Sequence, residues 1–347
     1  MLNGRNSARG NLSITVVMPT LNSAGTLRSA LQSIRSQNFP QAQIEILCVD
    51  GGSTDGTSAI AAEFNATMLM NQRVLPEYAK TLGINAAAGD IVILQDSDEV
   101  LQNCDSFANR CEAFSAHPEI NVVCSSGYVT PSGYSDWSDY YSVVGDPFSR
   151  FMYGGGGGDA VPTLHQLYPV VSRSDVMAVL QRPKGYIAPL IDATSSSWRR
   201  SAISTSLPHG VTVELFPMLC DLLIAPANKF AVMFNDPIMH YSAASFASVL
   251  RKISFRIKNN LAAKRGSSAG FANRVSSFPR WFVLKQALFP LYAASIVFPL
   301  LTGVRLALRR KRFVYLLHPV LCIALLLILS RQLLGLLFAR PAEPSRY

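Results

Sequence analysis

Three acidic residues lie close together in the sequence, directly after a predicted buried strand. Asp96, Asp98 and Glu99 follow the apolar run "DIVIL", and no Lys or Arg lies within four positions of them. At the end of a strand, where the chain turns, Asp96 and Asp98 can face one hard cation from the same side. Mg²⁺ and Mn²⁺ bind carboxylate and phosphate oxygens. The pair therefore predicts a metal site that also holds a diphosphate, with a solvated acidic turn as the alternative.

The acidic residues end the last of four predicted strands that alternate with helices. Such alternation predicts an α/β fold with a parallel sheet and helices on both faces, and ligands then bind at the carboxyl ends of the strands. Asp50 also stands at the end of a strand, so a nucleotide pocket is expected beside Asp50 and Asp96. The predicted strands are "SITVVMPTLN", "IEILCVD", "ATMLMN" and "DIVILQD".

Charge is distributed unevenly along the 347 residues, which carry a net charge of +9. Residues 251–312 contain 14 Lys and Arg and no Asp or Glu, so the remainder has 31 − 14 = 17 basic against 22 acidic residues. This pattern argues against nucleic-acid binding by the fold as a whole. A basic belt beside apolar segments is typical of a surface that faces anionic lipid.

Two apolar segments near the end of the sequence predict membrane-associated helices over 281–338. Segment 313–338 is long enough to cross a bilayer, whereas 281–303 carries Lys285, Pro290 and Pro299. If both crossed, the basic stretch between them would lie outside the cytoplasm, against the positive-inside rule. We therefore expect 281–303 to be kinked, interfacial or re-entrant. A pair of buried core helices is the alternative.

These features predict the following organisation. A polar tail at 1–12 precedes a domain at 13–245, whose nucleotide-binding half is 13–100 and whose acceptor half is 101–245. A basic amphipathic interfacial region at 246–280 and a tail at 339–347 flank the membrane-associated helices. The start lacks an apolar signal-peptide core, which predicts a cytoplasmic body at the inner membrane. Six cysteines without paired spacing predict reduced, mostly buried thiols. Five consecutive glycines at 154–158 predict a linker or a mobile loop.

Three motifs in series resemble the inverting family 2 glycosyltransferases of the GT-A fold, a Rossmann-like sheet with flanking helices. They are "VVMPTLNSAGTLRSALQSIRSQNF", "IEILCVDGGSTDGT" and "AKTLGINAAAGDIVILQDSDEV". The resemblance is dense over 13–100 and continues thinly to about residue 270. The end of the chain, "RFVYLLHPVLC", resembles a prokaryotic branch that works on lipid-linked or cell-surface acceptors.

The resemblance implies roles for particular residues. Pro19, Thr20 and Asn22 would line the nucleotide site, Asp50 would meet the base or ribose, and Lys80 would lie near the donor. Asp96 would contact the sugar or ribose and contribute to the metal site, Asp98 would bind Mg²⁺ or Mn²⁺, and His240 would lie near the metal or diphosphate. Relatives often carry two adjacent acids where this chain has Asp50-Gly51. A missing base contact there makes a UDP-sugar the favoured donor over a GDP-sugar.

Inversion also needs a general base that takes the proton from the acceptor hydroxyl. Asp221, Glu214 and Asp192 are the candidates, although the adjacent acidic pair of relatives is absent. The predicted function is therefore metal-assisted sugar transfer from a nucleotide diphosphate to a polyprenyl-phosphate or surface-glycan acceptor. A non-catalytic membrane scaffold is the alternative. A sugar-phosphate nucleotidyltransferase is disfavoured because "MPTLNSAGT" lacks an Arg-bearing phosphate loop.

Overall fold

The computed structural model describes residues 12–154, 160–182, 196–263 and 280–338. These residues form two compact units. We call residues 12–129, 160–182 and 196–240 the sheet unit, and residues 130–154, 241–263 and 280–338 the helical unit. Segment 130–154 therefore belongs with the C-terminal helices, which differs from the single domain expected over 13–245. Asp192 and four of the five glycines lie outside the described residues.

The first half of the sheet unit follows the predicted alternation of strands and helices. Each strand is almost fully buried except the third, and each helix turns an apolar face inward, such as Leu27, Leu31 and Ile34 of the first helix. The elements are β1 Ile14–Thr20, α1 Ala24–Arg35, β2 Ile44–Asp50, α2 Thr57–Glu63, β3 Thr67–Met70, α3 Pro76–Ala86 and β4 Ile91–Leu94.

The second half is less regular, with shorter strands. In chain order the elements are β5 Glu99–Leu101, α4 Ser106–Ala116, β6 Val122–Cys124, β7 Gly127–Val129, α5 Asp136–Val144, α6 Pro147–Tyr153, α7 Ala160–Leu167, β8 Val170–Arg173, β9 Met177–Gln181, β10 Ser197–Arg199, α8 Arg200–Ser206, α9 Leu219–Ile224, β11 Lys229–Met233 and β12 Pro237–His240. Of these, α5 and α6 belong to the helical unit.

Two sheets organise the sheet unit. The larger has nine strands in the order β3-β2-β1-β4-β10-β6-β11-β9-β8, and the smaller has three in the order β5-β12-β7. Strand β10 runs antiparallel to β4 and β6, and β9 runs antiparallel to β11 and β8. The α/β class is confirmed, and the sheet is mixed because β9 and β10 oppose the parallel strands.

Strand register brings the carboxyl ends of β1, β2 and β4 together, and we call this side of the large sheet the carboxyl edge. Thr20 and Asp50 are direct partners at its centre. Helix α3 packs on the sheet through Gly83, where a Cβ would lie 2.3 Å from Val17 Cγ1 and 3.0 Å from Val49 Cγ2. The glycine thus permits a close approach that fixes α3 against β1 and β2.

The helical unit has its own apolar core, built around Tyr140, Phe289, Tyr315 and Leu321. Its remaining helices are α10 Phe246–Ala263, α11 Arg280–Ala294, α12 Val297–Arg310 and α13 His318–Phe338. By length and composition, segment Phe313–Gly335 could cross a membrane. Helices α11 and α12 pass the same test only as a pair, and they are bent by 87°. The bend falls at Ser295–Ile296, where Ile296 has a φ of 58°, rather than at either proline.

Candidate active site

Asp50 is the centre of a hydrogen-bond network at the carboxyl edge. Its Oδ1 accepts hydrogen bonds from Thr20 Oγ1 at 2.9 Å and Ser53 Oγ at 2.5 Å. Its Oδ2 accepts from the backbone N–H groups of Gly52 at 3.0 Å and Ser53 at 2.8 Å. Burial would raise the pKa of Asp50, but the hydrogen bonds from Ser53, Thr20 and Gly52 together hold it below its usual value. Asp50 is therefore an ionised carboxylate that connects the end of β1 to the loop after β2.

The loop after β1 is held against the loop after β2. Asn22 Oδ1 accepts from Thr54 N at 2.9 Å, and Asn22 N donates to Ser53 Oγ at 2.8 Å. Asn22 itself has a φ of 49°, a left-handed conformation that asparagine tolerates. Because these side chains fix each other, the predicted nucleotide-lining residues lie on a preformed surface.

Gly51 contributes to this surface by its lack of a side chain. A Cβ at Gly51 would lie 3.2 Å from the carbonyl oxygen of Val74, in the segment between β3 and α3. Backbone therefore leaves little room for a side chain at position 51. This is a local physical reason why Gly51 suits the position.

Lys80 of α3 reaches the acidic turn after β4. Its Nζ lies 2.9 Å from Asp96 Oδ1, with the lysine side chain 13% and the aspartate side chain 36% exposed. Burial lowers the pKa of Lys80, but attraction to Asp96, Glu99 and Glu77 outweighs burial and raises the pKa above its usual value. Lys80 is thus a fixed cation beside Asp96. The structure thus brings together Lys80 and Asp96, which were both predicted to lie at the donor site.

Asp98 and His240 face each other across the same turn. Asp98 Oδ2 lies 3.5 Å from His240 Nε2, and both side chains are partly shielded from solvent. A carboxylate oxygen and an imidazole nitrogen are donor types that Mn²⁺ accepts, and phosphates complete such a shell. In the part of the chain that the structure describes, no three His, Cys, Asp or Glu side chains form a metal site by themselves. The residues therefore fit an ion that arrives with a diphosphate, held chiefly by Asp98 and His240.

Glu99 and Tyr128 contact His240 and hold it in place. Glu99 is the direct cross-strand partner of His240 in the small sheet. The Tyr128 hydroxyl donates a hydrogen bond to Glu99 Oε1, and the Tyr128 ring packs 4.4 Å from the His240 ring, centroid to centroid. Burial first, and repulsion from Asp96 second, raise the pKa of Glu99 well above its usual value. These contacts fix the orientation of His240.

One further contact joins the acidic turn to the start of α1, and another lies within the turn. Ser97 Oγ lies 2.9 Å from Ser23 Oγ, which connects the turn to the start of α1. The backbone N–H of Asp96 donates to Glu99 Oε2 at 3.1 Å. The carboxyl edge therefore carries Asp50, Lys80, Asp96 and Asp98 on segments that bond to one another. This geometry suits an anionic ligand with a divalent ion.

Asp221, one of the three candidate bases, lies elsewhere. Asp221 Oδ1 is 3.0 Å from Arg182 Nη1, and Arg182 follows β9 directly. The N–H of Arg182 donates to the carbonyl of Asn228, just before β11 begins. Since β9 and β11 are antiparallel, this is the amino end of the parallel strands, opposite the carboxyl edge. Asp221 is therefore poorly placed as the base. Glu214 is exposed on the segment before α9.

Sequence patterns did not predict the residues that hold the side chains of the candidate site in place. Tyr128 looks like an ordinary strand residue in "SSGYV", and its contact with Glu99 depends on a small sheet built from three distant segments. The same holds for Arg110, fully buried on α4, which lies 2.6 Å from Asp236 just before β12. The sequence offered one weak signal for Tyr128, which is its position shortly after the end of a strand, as for Asp50 and Asp96.

The fold is of the GT-A-like glycosyltransferase type. It is similar to the structure of the mannosyltransferase PcManGT from Pyrobaculum calidifontis in complex with GDP-Man and Mn²⁺. The TM-score is 0.51 at 17% sequence identity, over 94% of this chain and 89% of that one.

Residues 15–167 match the model of glycosyl transferase family 2. The match spans less than half of the chain and includes all three motifs, so it confirms the resemblance that was inferred from them.

Curated relatives match over short stretches. Glycosyltransferase AglE of Haloferax volcanii is 33% identical over 91 residues, which is 24% of this chain and 30% of the relative. Glucosyl-3-phosphoglycerate synthase of Mycobacterium tuberculosis is 33% identical over 100 residues, 26% of this chain and 31% of the relative. The chain thus spans about a third of the length of these two proteins.

Proposed function

We propose that this protein is a membrane-associated inverting glycosyltransferase. It moves a sugar from a nucleotide diphosphate to a lipid-linked acceptor such as a polyprenyl phosphate, or to a cell-surface glycan. The reaction is assisted by Mg²⁺ or Mn²⁺ and takes place at the cytoplasmic face of the inner membrane. The observation that carries the proposal is the approach of Asp98 to His240, at an edge where Asp50 and the Lys80–Asp96 pair also lie.

Different residues of the carboxyl edge bind different parts of the donor. The loops held by Asp50 present Thr20 and Asn22 to the nucleoside without further ordering, which reduces the entropic cost of binding. Lys80 keeps its charge and orients Asp96 toward the sugar or ribose. Asp98 and His240 would hold the ion, which when bound would neutralise the diphosphate as it leaves.

Glu214 and Asp192 remain the candidates for the general base, because Asp221 is held by Arg182 away from this edge. The base would take the proton of the acceptor hydroxyl while that oxygen attacks the anomeric carbon. Substitution by the amide, Glu214→Gln, would then abolish transfer while leaving nucleotide binding intact.

The donor is proposed to be a UDP-sugar. Backbone at Val74 narrows the space beside Gly51, where a second acid would otherwise add a contact to the base. The PcManGT complex contains GDP-Man, so GDP is the comparison that matters most. The proposal of a lipid-linked acceptor rests on the apolar and basic C-terminal part of the chain, because such a surface suits a substrate embedded in lipid.

Nucleotide titration tests this function. UDP, GDP, CDP and dTDP would be titrated into the detergent-purified protein, each with Mn²⁺ and with EDTA, alongside Asp98→Asn. The proposal expects one nucleotide to bind more tightly with Mn²⁺, and expects the variant to lose that gain. If no nucleotide binds, or the variant binds as well as the parent, a non-catalytic membrane scaffold becomes the better account.

A further inference from the structure

The exposed apolar side chains of this protein are concentrated in one part of the helical unit. Among the described residues, six large exposed apolar side chains lie in the sheet unit and 19 lie between residues 281 and 334. So many exposed apolar side chains in one part of the chain are typical of an interaction surface. We call this set the apolar face; it includes Leu291, Phe298, Leu301, Leu308, Phe313, Leu327 and Leu334.

Basic side chains accompany the apolar face. Arg305, Arg309 and Lys311 are exposed on α12 and the turn that follows it. No Asp or Glu occurs anywhere in residues 251–312. An apolar surface flanked by cations alone complements a bilayer that contains anionic lipid, since acyl chains cover the apolar side chains and headgroups meet the cations.

Helix α13 is fastened to polar partners at both ends. Just before its start, the Tyr315 hydroxyl donates to Asp139 Oδ2 at 2.7 Å, and Arg310 Nη2, at the end of α12, lies 3.1 Å from Asp139 Oδ1. Near its end, Gln332 Nε2 donates to the carbonyl oxygen of Ser254 in α10 at 3.2 Å. Tyr315 and Gln332 are separated by roughly 25 Å of helix, a length close to the thickness of a hydrocarbon core.

The partners at both ends belong on the same side of a membrane. Asp139 lies on α5 and Ser254 on α10, and within the described residues the candidate spans occur only at 280–310 and 313–335, after both helices. If α13 crossed, the part of α10 around Ser254 would enter the hydrocarbon. That part carries Arg251, Lys252 and Arg256, whose burial in lipid is costly.

The bent pair α11–α12 leads to the same conclusion. Its 87° bend prevents a straight crossing. The basic turn after α12 returns to α5, where Arg312 pairs with Asp136 and Arg310 with Asp139. The basic turn therefore lies on the side of α5, which removes the conflict with the positive-inside rule.

We propose that the helical unit is a monotopic anchor, whose apolar face enters one leaflet of an anionic bilayer while no helix crosses. The inference deepens the membrane association in the proposed function, and it does not depend on the transfer reaction. A protein that binds nucleotide but spans the membrane would refute the anchor alone. A monotopic protein that binds no nucleotide would refute the transferase alone.

Reporter fusions test the topology. The full chain would carry, after Tyr347, either a fluorescent protein that matures in the cytoplasm or an alkaline phosphatase that is active only outside it. The anchor predicts fluorescence in the membrane fraction and background phosphatase activity. Phosphatase activity with loss of fluorescence would show that α13 crosses and would overturn the proposal.

Vesicle binding tests the apolar face and its cations. Purified protein would be diluted from detergent onto vesicles of phosphatidylcholine, with or without phosphatidylglycerol, and separated by flotation. Binding should favour the anionic vesicles and should fall roughly fivefold for each charge removed in Arg305→Gln and Arg309→Gln. Phe298→Gln and Leu301→Gln should weaken binding to both vesicle types. Leu82→Gln, an exposed leucine of the sheet unit, is the matched control and should bind normally.

Two outcomes would contradict the lipid surface. Equal binding of the Phe298→Gln and Leu301→Gln variants and the parent would remove the apolar face from the contact. Formation of a stable dimer in buffer, with no flotation, would assign the face to a second copy of the chain.

Discussion

Asp98 Oδ2 lies 3.5 Å from His240 Nε2, although the two residues are far apart in the sequence. They meet because β12 inserts between β5 and β7 and pairs His240 with Glu99, the neighbour of Asp98. The metal site proposed here thus depends on one long-range strand pairing.

Replacing His240 should weaken metal binding without unfolding the protein. His240→Ala removes one of the two proposed ligand atoms, and we expect the Mn²⁺-dependent gain in nucleotide affinity to fall roughly 10–100-fold. Isothermal titration of the nucleotide at several Mn²⁺ concentrations measures this loss. His209→Ala, at an exposed histidine, is the matched control. An unchanged Mn²⁺ dependence in His240→Ala would exclude this histidine as a ligand.

Lys80 should be replaceable by arginine more readily than by a neutral residue. Lys80→Met leaves Asp96 without its cation beside Glu99, and we expect a loss of about 1–2 kcal/mol in the free energy of unfolding, since the partly exposed Asp96 regains water. Donor affinity should fall as well. Lys80→Arg keeps the charge and should lose less on both measures. Chemical denaturation in detergent, followed by nucleotide titration, compares the two variants.

The Asp50 network should make stability depend on pH in the acid range. Because the folded-state pKa is lowered, ionised Asp50 stabilises the fold above the unfolded pKa of about 3.9, and this contribution is lost as pH falls through the lower folded value. At neutral pH, Asp50→Asn should cost roughly 1.5–3 kcal/mol through weakened hydrogen bonds. The difference between variant and parent should shrink as the solution is acidified.

Urea unfolding across the acid range measures this difference. Asp175→Asn, at an exposed turn, should remain close to the parent at every pH. A gap between Asp50→Asn and the parent that stays constant down to strongly acidic solution would mean that the carboxylate charge contributes nothing.

Gly83 should tolerate no larger residue. A Cβ at this position would lie 2.3 Å from Val17 Cγ1, so Gly83→Ala should push α3 from the sheet and cost about 1–3 kcal/mol of stability. Because α3 carries Lys80, donor affinity should fall too. Gly25→Ala is the matched control, since a Cβ there meets nothing within 4 Å. A Gly83→Ala variant as stable as Gly25→Ala would show that α3 is not held as described.

Local patterns were sufficient to predict the elements from β1 to β4. Each strand there is a continuous apolar run closed by a turn residue, and the helices between the strands turn apolar residues inward, so strands and helices alternate as the local patterns predict. The position of Asp50 and Asp96 at strand ends follows directly from that order. Lys80 could be assigned to the site only through the family resemblance.

Long-range pairings account for what the sequence did not predict. The small sheet joins residues near 100, 128 and 239, and no local period reports such a pairing. Residues 130–154 look like a continuation of the sheet domain, yet Asp136 and Asp139 pair with Arg312 and Arg310 in the helical unit. Asp221 matched a motif position but is fixed by Arg182, a partner that only antiparallel β9 brings near.

Turnover of the donor is the measurement that tests the proposed transferase most directly. The nucleotide-sugar whose diphosphate binds best would be incubated with the full-length protein, Mn²⁺ and a polyprenyl phosphate in detergent, and the released nucleoside diphosphate would be measured beside Asp98→Asn. A glycosyltransferase predicts Mn²⁺-dependent release that the variant lacks. Tight nucleotide binding with no release above the variant, across acceptors and sugars, would contradict catalysis and indicate a scaffold.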